Sequence, residues 1–309
     1  MNILGFLRDT LCMSSAEISK FSATAPHRYK IYDILKRNGK GKRTIAHPSK
    51  ELKFIQRLLV KKLESNLPSN SCAMAYKKGI SIKDNALLHA NSKYLLKMDF
   101  KDFFPSITPK LFFLALEKEA IDITEEDKYI LSNFLFWKKR RNSSLRLSIG
   151  APSSPLVSNF VMHHFDVEML KICEANKITY SRYADDLIFS TNVKDSLFKM
   201  PAVVEKKLRQ TTNGLISINK EKTVFSSKGH NRHITGITLN NENKLSLGRD
   251  RKRLISSMIH KFKLNELSEE KVLELQGLLS FAKFIEPEFN ERMLKKYSQS
   301  TMQKIFTSE

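Results

Sequence analysis

The sequence contains few of the residues that form flexible linkers, disulfide frameworks or membrane spans. Glycine (10) and proline (9) are scarce in a chain of 309 residues, which argues against long linkers and low-complexity tails. The three cysteines, Cys12, Cys72 and Cys173, are far apart and form no CxxC pair, so neither a cysteine-rich zinc module nor a disulfide framework is expected. No apolar run reaches the roughly eighteen residues of a membrane-spanning helix. We therefore expect a soluble, cytoplasmic protein with free thiols and no membrane partner.

Acidic residues are also too few to balance the basic ones. The chain has 53 Lys and Arg residues against 32 Asp and Glu residues, which gives a formal net charge of +21. Such a surplus favours a polyanionic partner, because each neutralised phosphate releases condensed counterions. On charge alone, an anionic membrane surface or simple solubility is the alternative. The composition therefore favours nucleic acid as the partner.

The pattern of apolar residues predicts helices and strands in alternation. Residues 27–47 predict a β-hairpin around Asn38 and Gly39, because Asn-Gly is a strong two-residue turn signal. Residues 147–176 predict a turn followed by one long helix, and residues 178–191 predict a second hairpin. Further helices are predicted at about 50–66, 82–90, 109–120, 124–138, 195–210 and beyond 249, and further strands at about 93–100, 215–219, 233–239 and 244–248.

Three aspartates occupy positions that suit metal-dependent polymerase chemistry. Asp99 follows an apolar strand, and Asp185 and Asp186 lie at the tip of the second predicted hairpin. Polymerases need carboxylates that hold two Mg²⁺ ions, and Mg²⁺ prefers hard oxygen ligands. Taken singly, an Asp-Asp pair is a common turn and Asp99 could be a surface charge at a strand end. The pattern alone leaves both interpretations open.

The order of five segments is more specific. KMDFKDFFPSI (97–107), IGAPSSPLVSNF (149–160), YSRYADDLIFS (180–190), INKEKTVF (218–225) and HITGITL (233–239) resemble the reverse transcriptases in consecutive motif order. The resemblance extends from about Arg43 to Leu247.

A further element, NALLH (85–89), is similar to bacterial retron reverse transcriptases, and the GAPSSP string agrees. Two positions depart from the pattern. Ile234 replaces the usual Val of a Val-Thr-Gly element, and Ile149 stands where relatives commonly have a Gln that contacts the incoming nucleotide.

The resemblance implies roles for the catalytic residues. Asp99 and Asp185 would bridge two Mg²⁺ ions, the backbone carbonyl of Phe100 would add a ligand, and Asp186 would support the site. Phe104 aligns with a bulky side chain under the sugar, where a ring would collide with a 2′-hydroxyl and favour deoxynucleotides. Plain core packing is the alternative for Phe104.

The resemblance also implies residues that contact nucleotide and nucleic acid. Lys222 is a candidate proton donor to the leaving pyrophosphate, or else an ordinary surface lysine. Lys42 and Arg43 would hold the triphosphate, unless they form a solvated basic turn. Gly150 and Ala151 would let the template–nucleotide pair approach the backbone. Four residues would contact primer or RNA, with a structural anchor as the alternative for His89: Arg182, Tyr183, Asn85 and His89.

The fold that the resemblance implies is a right-hand polymerase of the α/β (α+β) class. It would comprise an N-terminal helical segment (1–25), fingers and an antiparallel-sheet palm (26–244), and a helical basic thumb (245–309). The implied function is an RNA-directed DNA polymerase that binds its own noncoding RNA and uses dNTPs to make branched RNA–DNA (msDNA). Anti-phage defence with a separate effector protein is implied too. The alternatives are another bacterial reverse transcriptase, group II intron-like or diversity-generating, and a non-catalytic RNA-binding scaffold.

Overall fold

The computed structural model describes residues 1–35, 39 and 41–307, so the predicted Asn38-Gly39 turn lies largely outside the described residues. The strands are β1 (Tyr29–Leu35), β2 (Lys42–Pro48), β3 (Tyr94–Asp99), β4 (Thr179–Tyr183), β5 (Asp186–Thr191), β6 (Val224–Ser227), β7 (Arg232–Ile234), β8 (Ile237–Leu239) and β9 (Leu245–Ser246). The helices are α1 (Ile3–Leu11), α2 (Ser15–Thr24), α3 (Lys50–Leu63), α4 (Ile82–Leu88), α5 (Phe103–Ser106), α6 (Pro109–Lys118), α7 (Glu125–Leu135), α8 (Ser154–Val161), α9 (His163–Ala175), α10 (Met200–Thr212), α11 (Arg249–Lys263), α12 (Glu269–Ile285), α13 (Pro287–Tyr297) and α14 (Gln299–Thr307).

The chain divides into two compact units, each built from separate stretches of sequence. The first comprises Met1–Lys78, Met98–Leu187 and Phe198–Thr223, and the second comprises Gly79–Lys97, Ile188–Leu197 and the chain from Val224 onward. The predicted segments 1–25, 26–244 and 245–309 partition the chain differently and stay a prediction. Among the described residues, no helix has the length and apolar character needed to cross a bilayer.

The strands form three sheets. β1 and β2 pair antiparallel, with Tyr29 opposite Pro48 and Leu35 opposite Lys42, which confirms the first predicted hairpin. A four-stranded sheet has the order β4-β5-β3-β6, and a three-stranded sheet has the order β7-β8-β9. In β3 the apolar residues Leu95, Leu96 and Met98 are buried, as expected for a strand in the interior of a sheet.

Aromatic packing dominates the core of the first unit. Phe112 is fully buried, and its ring centroid lies 6.1 Å from that of Phe136. Phe100 stacks on Phe103 with 5.1 Å between centroids. Because Phe100 directly follows β3 and Phe103 begins α5, this stacking holds the end of the strand that carries Asp99.

The N-terminal helices are attached to this unit by a buried carboxylate. Asp127 on α7 accepts hydrogen bonds from the backbone N–H groups of Ile3 (3.0 Å) and Leu4 (2.8 Å). These two donors lie in the first turn of α1, where no intrahelical acceptor exists. Asp127 therefore caps α1 from another helix.

The core of the second unit is made by the C-terminal helices together with α4 and the three-stranded sheet. Its fully buried members include Ile237, Ile259, Leu275 and Ile305. Between residues 249 and 307, which the structure describes, the chain forms helices α11 to α14 and no strand, as predicted.

Two sequence predictions of secondary structure were wrong. The segment after GAPSSP forms two helices, α8 and α9, which are separated at Met162, where ψ is 0°. Residues 215–219 form only an isolated bridge between Ile218 and Phe100, and the strand lies later, at β6. The bridge is short because only the backbone of residues 217–219 pairs with residues 99–101. That pairing places the following residues at the candidate site.

Candidate active site

Asp99 ends β3 with its carboxylate largely enclosed. The residue is 6% exposed, and Lys222 Nζ lies 2.9 Å from each of its two carboxylate oxygens. Lys222 reaches this position because the Asn219 N–H donates to the Asp99 carbonyl at 2.8 Å. The prediction that both residues belong to one site fits this arrangement.

The second hairpin presents Asp185 and Asp186 in a tight turn. We call Tyr183–Asp186 the aspartate turn. Ala184 has φ of 56°, a left-handed conformation that reverses the chain between β4 and β5. The Phe100 N–H donates to the Asp185 carbonyl at 3.0 Å, so the end of β3 and the aspartate turn lie side by side.

The electrostatics of Asp185 follow from this proximity. Burial raises the pKa of its carboxyl, and the neighbouring Asp186 and Asp99 charges raise it further, while Lys222 acts in the opposite direction. Like charges resist ionisation when they are close together and partly removed from water. The three carboxylates therefore form a concentration of negative charge, within which Lys222 pairs with Asp99.

The residues fit a divalent cation by their donor chemistry. Carboxylate oxygens are the ligands that Mg²⁺ prefers, and a cation would relieve the mutual repulsion that raises the pKa of Asp185. Within residues 1–35, 39 and 41–307 the side chains do not form a cluster of three or more His, Cys, Asp or Glu in metal-binding geometry. The ammonium of Lys222 provides the counter-charge on Asp99 in this arrangement.

A buried ion pair contacts the backbone of the aspartate turn. Arg182 is fully buried, and its Nη2 lies 2.7 Å from Asp166 Oδ2, while its Nε contacts both Asp166 oxygens. Its Nη1 donates to the Ala184 carbonyl at 3.1 Å and to Asn159 Oδ1 at 3.2 Å. A buried guanidinium with these partners has no surface to offer to a primer, so the predicted primer contact of Arg182 is corrected to a role in positioning the turn.

Sequence reasoning missed Asp166, which forms the ion pair with Arg182, and Asn159, which accepts a hydrogen bond from the same guanidinium. Asp166 also accepts a hydrogen bond from Tyr180 Oη at 2.9 Å. Asp166 lies on α9, within the segment that was predicted as one long helix, and its buried orientation had no local signal. Tyr183, predicted to contact primer, is half-buried at the start of the aspartate turn, where that contact stays a prediction.

The predicted RNA contacts Asn85 and His89 are also corrected. Both residues are fully buried in the second unit. His89 Nδ1 lies 2.7 Å from Ser190 Oγ, and burial lowers the pKa of the imidazole to about 3, so the ring is neutral at physiological pH. The structural-anchor alternative for His89 fits this environment, because a neutral ring without exposed surface has no means of contacting RNA.

The candidates for nucleotide contact lie around β2 and the GAPSSP segment. Lys42 and Arg43 are exposed at the start of β2. Gly150 has φ of 120°, and a Cβ there would lie 3.3 Å from Ile45 Cγ2 and 3.4 Å from the Ala46 carbonyl oxygen. Glycine is thus favoured at residue 150, because this φ strains any residue with a side chain and because a Cβ would press against β2.

The two remaining candidates, Ala151 and Phe104, differ in exposure. Ala151 is 5% exposed, and Phe104 is half-buried with its ring centroid 5.4 Å from that of Phe103. Phe104 therefore keeps part of its surface accessible, as a gate under a sugar requires, and also packs against Phe103. Its role as a gate stays a prediction.

Comparisons with known proteins agree with this geometry. Residues 34–239, more than half of the chain, match the family described as reverse transcriptase (RNA-dependent DNA polymerase). The Retron Ec83 reverse transcriptase of Escherichia coli is 49% identical over 286 residues, which cover 92% of this chain and 91% of the relative. The Retron Ec73 reverse transcriptase of Escherichia coli is 36% identical over 284 residues, covering 89% of each protein.

A solved structure shows the same fold at low identity. Telomerase from Candida albicans, in complex with a TWJ fragment of telomeric RNA, matches with a TM-score of 0.50 and 12% identity, over 93% of this chain and 59% of the telomerase chain. The mixed helices, antiparallel strands and aspartate turn define a right-hand nucleic-acid polymerase. The chain belongs to the reverse transcriptase family and, within it, to the bacterial retron enzymes: it is an RNA-directed DNA polymerase.

Proposed function

We propose that Asp99, Asp185 and Asp186 hold two Mg²⁺ ions and carry out nucleotidyl transfer. The observation that carries this proposal is the hydrogen bond from the Phe100 N–H to the Asp185 carbonyl, because it joins the end of β3 to the aspartate turn. Bound magnesium would activate the primer hydroxyl and stabilise the charge of the triphosphate. The Phe100 carbonyl is proposed as a further ligand.

The nucleotide would be held by residues around this carboxylate cluster. We propose that Arg43, with Lys42 beside it, binds the triphosphate, since a planar guanidinium matches phosphate oxygens in a bidentate manner. Phe104 would reject a 2′-hydroxyl by steric collision. Gly150 and Ala151 leave room for the template–nucleotide pair, and Tyr183 would contact the primer strand.

Lys222 is proposed as the proton donor to the leaving pyrophosphate. Its side chain is 55% exposed although its ammonium is paired with Asp99. It can therefore leave Asp99 and reach a phosphate without disturbing packed residues. A protonated amine within reach of the leaving group would act as a general acid.

The retron relationship supports a more specific product. We propose that this enzyme binds its own structured noncoding RNA and extends from an internal 2′-hydroxyl, which yields branched RNA–DNA. The support is the identity to two retron reverse transcriptases and the net charge of +21. Action in the cytoplasm in anti-phage defence, with a separate effector protein, is proposed from the family alone.

The test is to express the chain with its flanking genomic DNA and to isolate small DNA that remains attached to RNA. The double variant Asp185→Asn, Asp186→Asn is the control. We expect wild type to yield a product that shortens with RNase yet keeps a branched RNA remnant, and the control to yield none. Extension of a conventional primer without branched product would reject the retron-specific step. Absence of both activities would favour the RNA-binding scaffold.

A further inference from the structure

Tyr76 combines solvent exposure with a left-handed backbone. Its φ is 64°, and the residue is 52% exposed. In the part of the chain that the structure describes, Tyr76 is the one aromatic residue with positive φ. A bulky residue in this region is a genuine outlier, and such strain persists only where the surrounding structure over-determines it. The feature that holds Tyr76 in place is therefore informative.

The segment Cys72–Ala75 is anchored on the strand that leads into the aspartate turn. The Arg182 N–H donates to the Cys72 carbonyl at 2.8 Å, and the Met74 N–H donates to the Arg182 carbonyl at 2.8 Å. Asn159 Nδ2 donates to the Ala75 carbonyl at 3.0 Å. Arg182 Nη1 also donates hydrogen bonds to Asn159 Oδ1 and to the Ala184 carbonyl. One buried network thus sets the positions of both Tyr76 and the aspartate turn.

The electrostatic neighbours of Tyr76 show which ionisable groups lie near its phenol. The pKa of the phenol is raised to about 12, mainly by partial burial and less by the charges of Asp185 and Tyr183, while Arg182 and Arg43 act in the opposite direction. The phenol is therefore protonated at physiological pH and can donate a hydrogen bond. It lies within electrostatic range of both the aspartate turn and the exposed Arg43.

We infer that Tyr76 is a nucleic-acid contact of the polymerase, with its ring against a sugar or base of the primer–template duplex and its hydroxyl donating to that duplex. An aromatic ring can stack on any base, so this contact needs no sequence preference. The inference rests on the proposed function, because it requires the duplex to end at Asp185. A surface tyrosine in a strained turn without a ligand is the competing interpretation.

The test separates binding from chemistry. A fluorescein-labelled DNA primer annealed to an RNA template is titrated with the full chain in metal-free buffer, and fluorescence anisotropy gives Kd. We expect Tyr76→Ala to weaken binding roughly tenfold, because removal of one base–aromatic stack has about that effect. Tyr76→Phe keeps the ring and should weaken binding less than about threefold. Tyr129→Ala removes a tyrosine of matched exposure, 51%, on α7 and should leave Kd unchanged.

A fourth variant excludes an indirect effect through stability. Tyr76→Gly removes the ring and also relieves the left-handed strain, so it should melt at a higher temperature than Tyr76→Ala while binding equally weakly. If affinity recovers with stability in Tyr76→Gly, the role of Tyr76 is structural and the inference is overturned.

The outcomes also distinguish this inference from the proposed function. Wild-type binding and primer extension, together with an unchanged Kd for Tyr76→Ala, would reject the contact and leave the polymerase site intact. A wild-type chain that fails to bind the duplex would reject both. Weakened binding by Tyr76→Ala, with extension still abolished by Asp185→Asn, supports both.

Discussion

At Asp185, the role that we propose in catalysis and the stability of the fold place opposite demands on one carboxylate. Its pKa is raised by burial and by the charges of Asp186 and Asp99. When folding raises the pKa of a carboxyl, the folded state binds the proton more tightly than the unfolded state does, so stability falls as pH rises through the folded pKa. Near neutral pH the ionised Asp185 therefore reduces the stability of the metal-free enzyme.

Replacing Asp185 with Asn should abolish DNA synthesis and yet raise the melting temperature. Asn has nearly the same shape without the repelled charge, so we expect a gain of roughly 2 °C near neutral pH without divalent cations. The difference in melting temperature between the variant and wild type should disappear as pH falls through the raised pKa, because wild-type Asp185 then becomes neutral. Thermal melts over an acid-to-neutral series in EDTA measure this effect.

The control for this experiment is an exposed carboxylate. Asp9 pairs with Arg8 at the surface, with 72% of its side chain exposed, so Asp9→Asn should not alter the melting temperature. A lower melting temperature for Asp185→Asn than for wild type near neutral pH would contradict the expected repulsion.

Phe104 allows a prediction about sugar selection. In Phe104→Val the steric barrier under the sugar is reduced, so the preference for dNTP over rNTP should fall at least about tenfold. Single-nucleotide extension gives kcat/KM for both substrates. Phe104→Tyr keeps the bulk and should keep the preference. An unchanged ratio in Phe104→Val would favour the core-packing alternative.

At the scale of elements, β4 and α9 are joined by the buried pair of Arg182 and Asp166. Both side chains have no exposure, and the pair also fixes the carbonyl of Ala184 in the aspartate turn. A buried charge without its partner is strongly unfavourable, because the low dielectric of the interior cannot replace its hydration. The geometry of the aspartate turn thus depends on a contact between a helix and a strand.

Asp166→Asn should destabilise the fold by about 3–5 kcal/mol, since it leaves the Arg182 charge buried and uncompensated. Urea denaturation, followed by circular dichroism, gives the free energy of unfolding. The matched control is Glu168→Gln on the same helix, which breaks a half-exposed ion pair with Lys207. That change should cost at most about 1 kcal/mol. Equal effects of the two substitutions would show that burial of the pair is unimportant.

At the scale of the whole molecule, the net charge of +21 determines how strongly the affinity for RNA depends on salt. Contacts with phosphate depend on counterion release, so affinity falls steeply with salt. We expect the Kd for a structured RNA to rise about a thousandfold between roughly 50 and 200 mM salt, as for six or more phosphate contacts. Filter binding at a series of salt concentrations gives the slope of log Kd against the logarithm of the salt concentration.

Two exposed lysines on helix α11, Lys261 and Lys263, allow the same measurement to be made for one part of the surface. Lys261→Gln with Lys263→Gln should reduce the slope by up to about two, one for each phosphate that is no longer neutralised. Glu269→Gln with Glu270→Gln on α12 is the control and should not reduce it. A shallow salt dependence of Kd in wild type, with the same slope in the lysine and the glutamate double variants, would show that binding does not depend on the positive charge.

The sequence determined those features that depend on neighbouring residues. An apolar run ends at Asp99, and two β-rich segments flank Ala184, Asp185 and Asp186, so strand, turn and carboxylates are all encoded locally. The first hairpin and the C-terminal helices were predicted for the same reason. Motif order, which is also a property of the linear chain, was enough to indicate the family.

Only the tertiary structure decided which side chains meet and which are buried. Lys222 contacts Asp99 across 123 positions of sequence, and Arg182 is enclosed by Asp166 and Asn159 from separate helices. His89 likewise contacts Ser190, which lies on a strand 101 positions later in the sequence. A local sequence pattern shows that a residue is polar or charged. It does not show which distant part of the chain packs against that residue. Long-range packing therefore assigned Arg182 and His89 to the interior and brought Tyr76 to the aspartate turn.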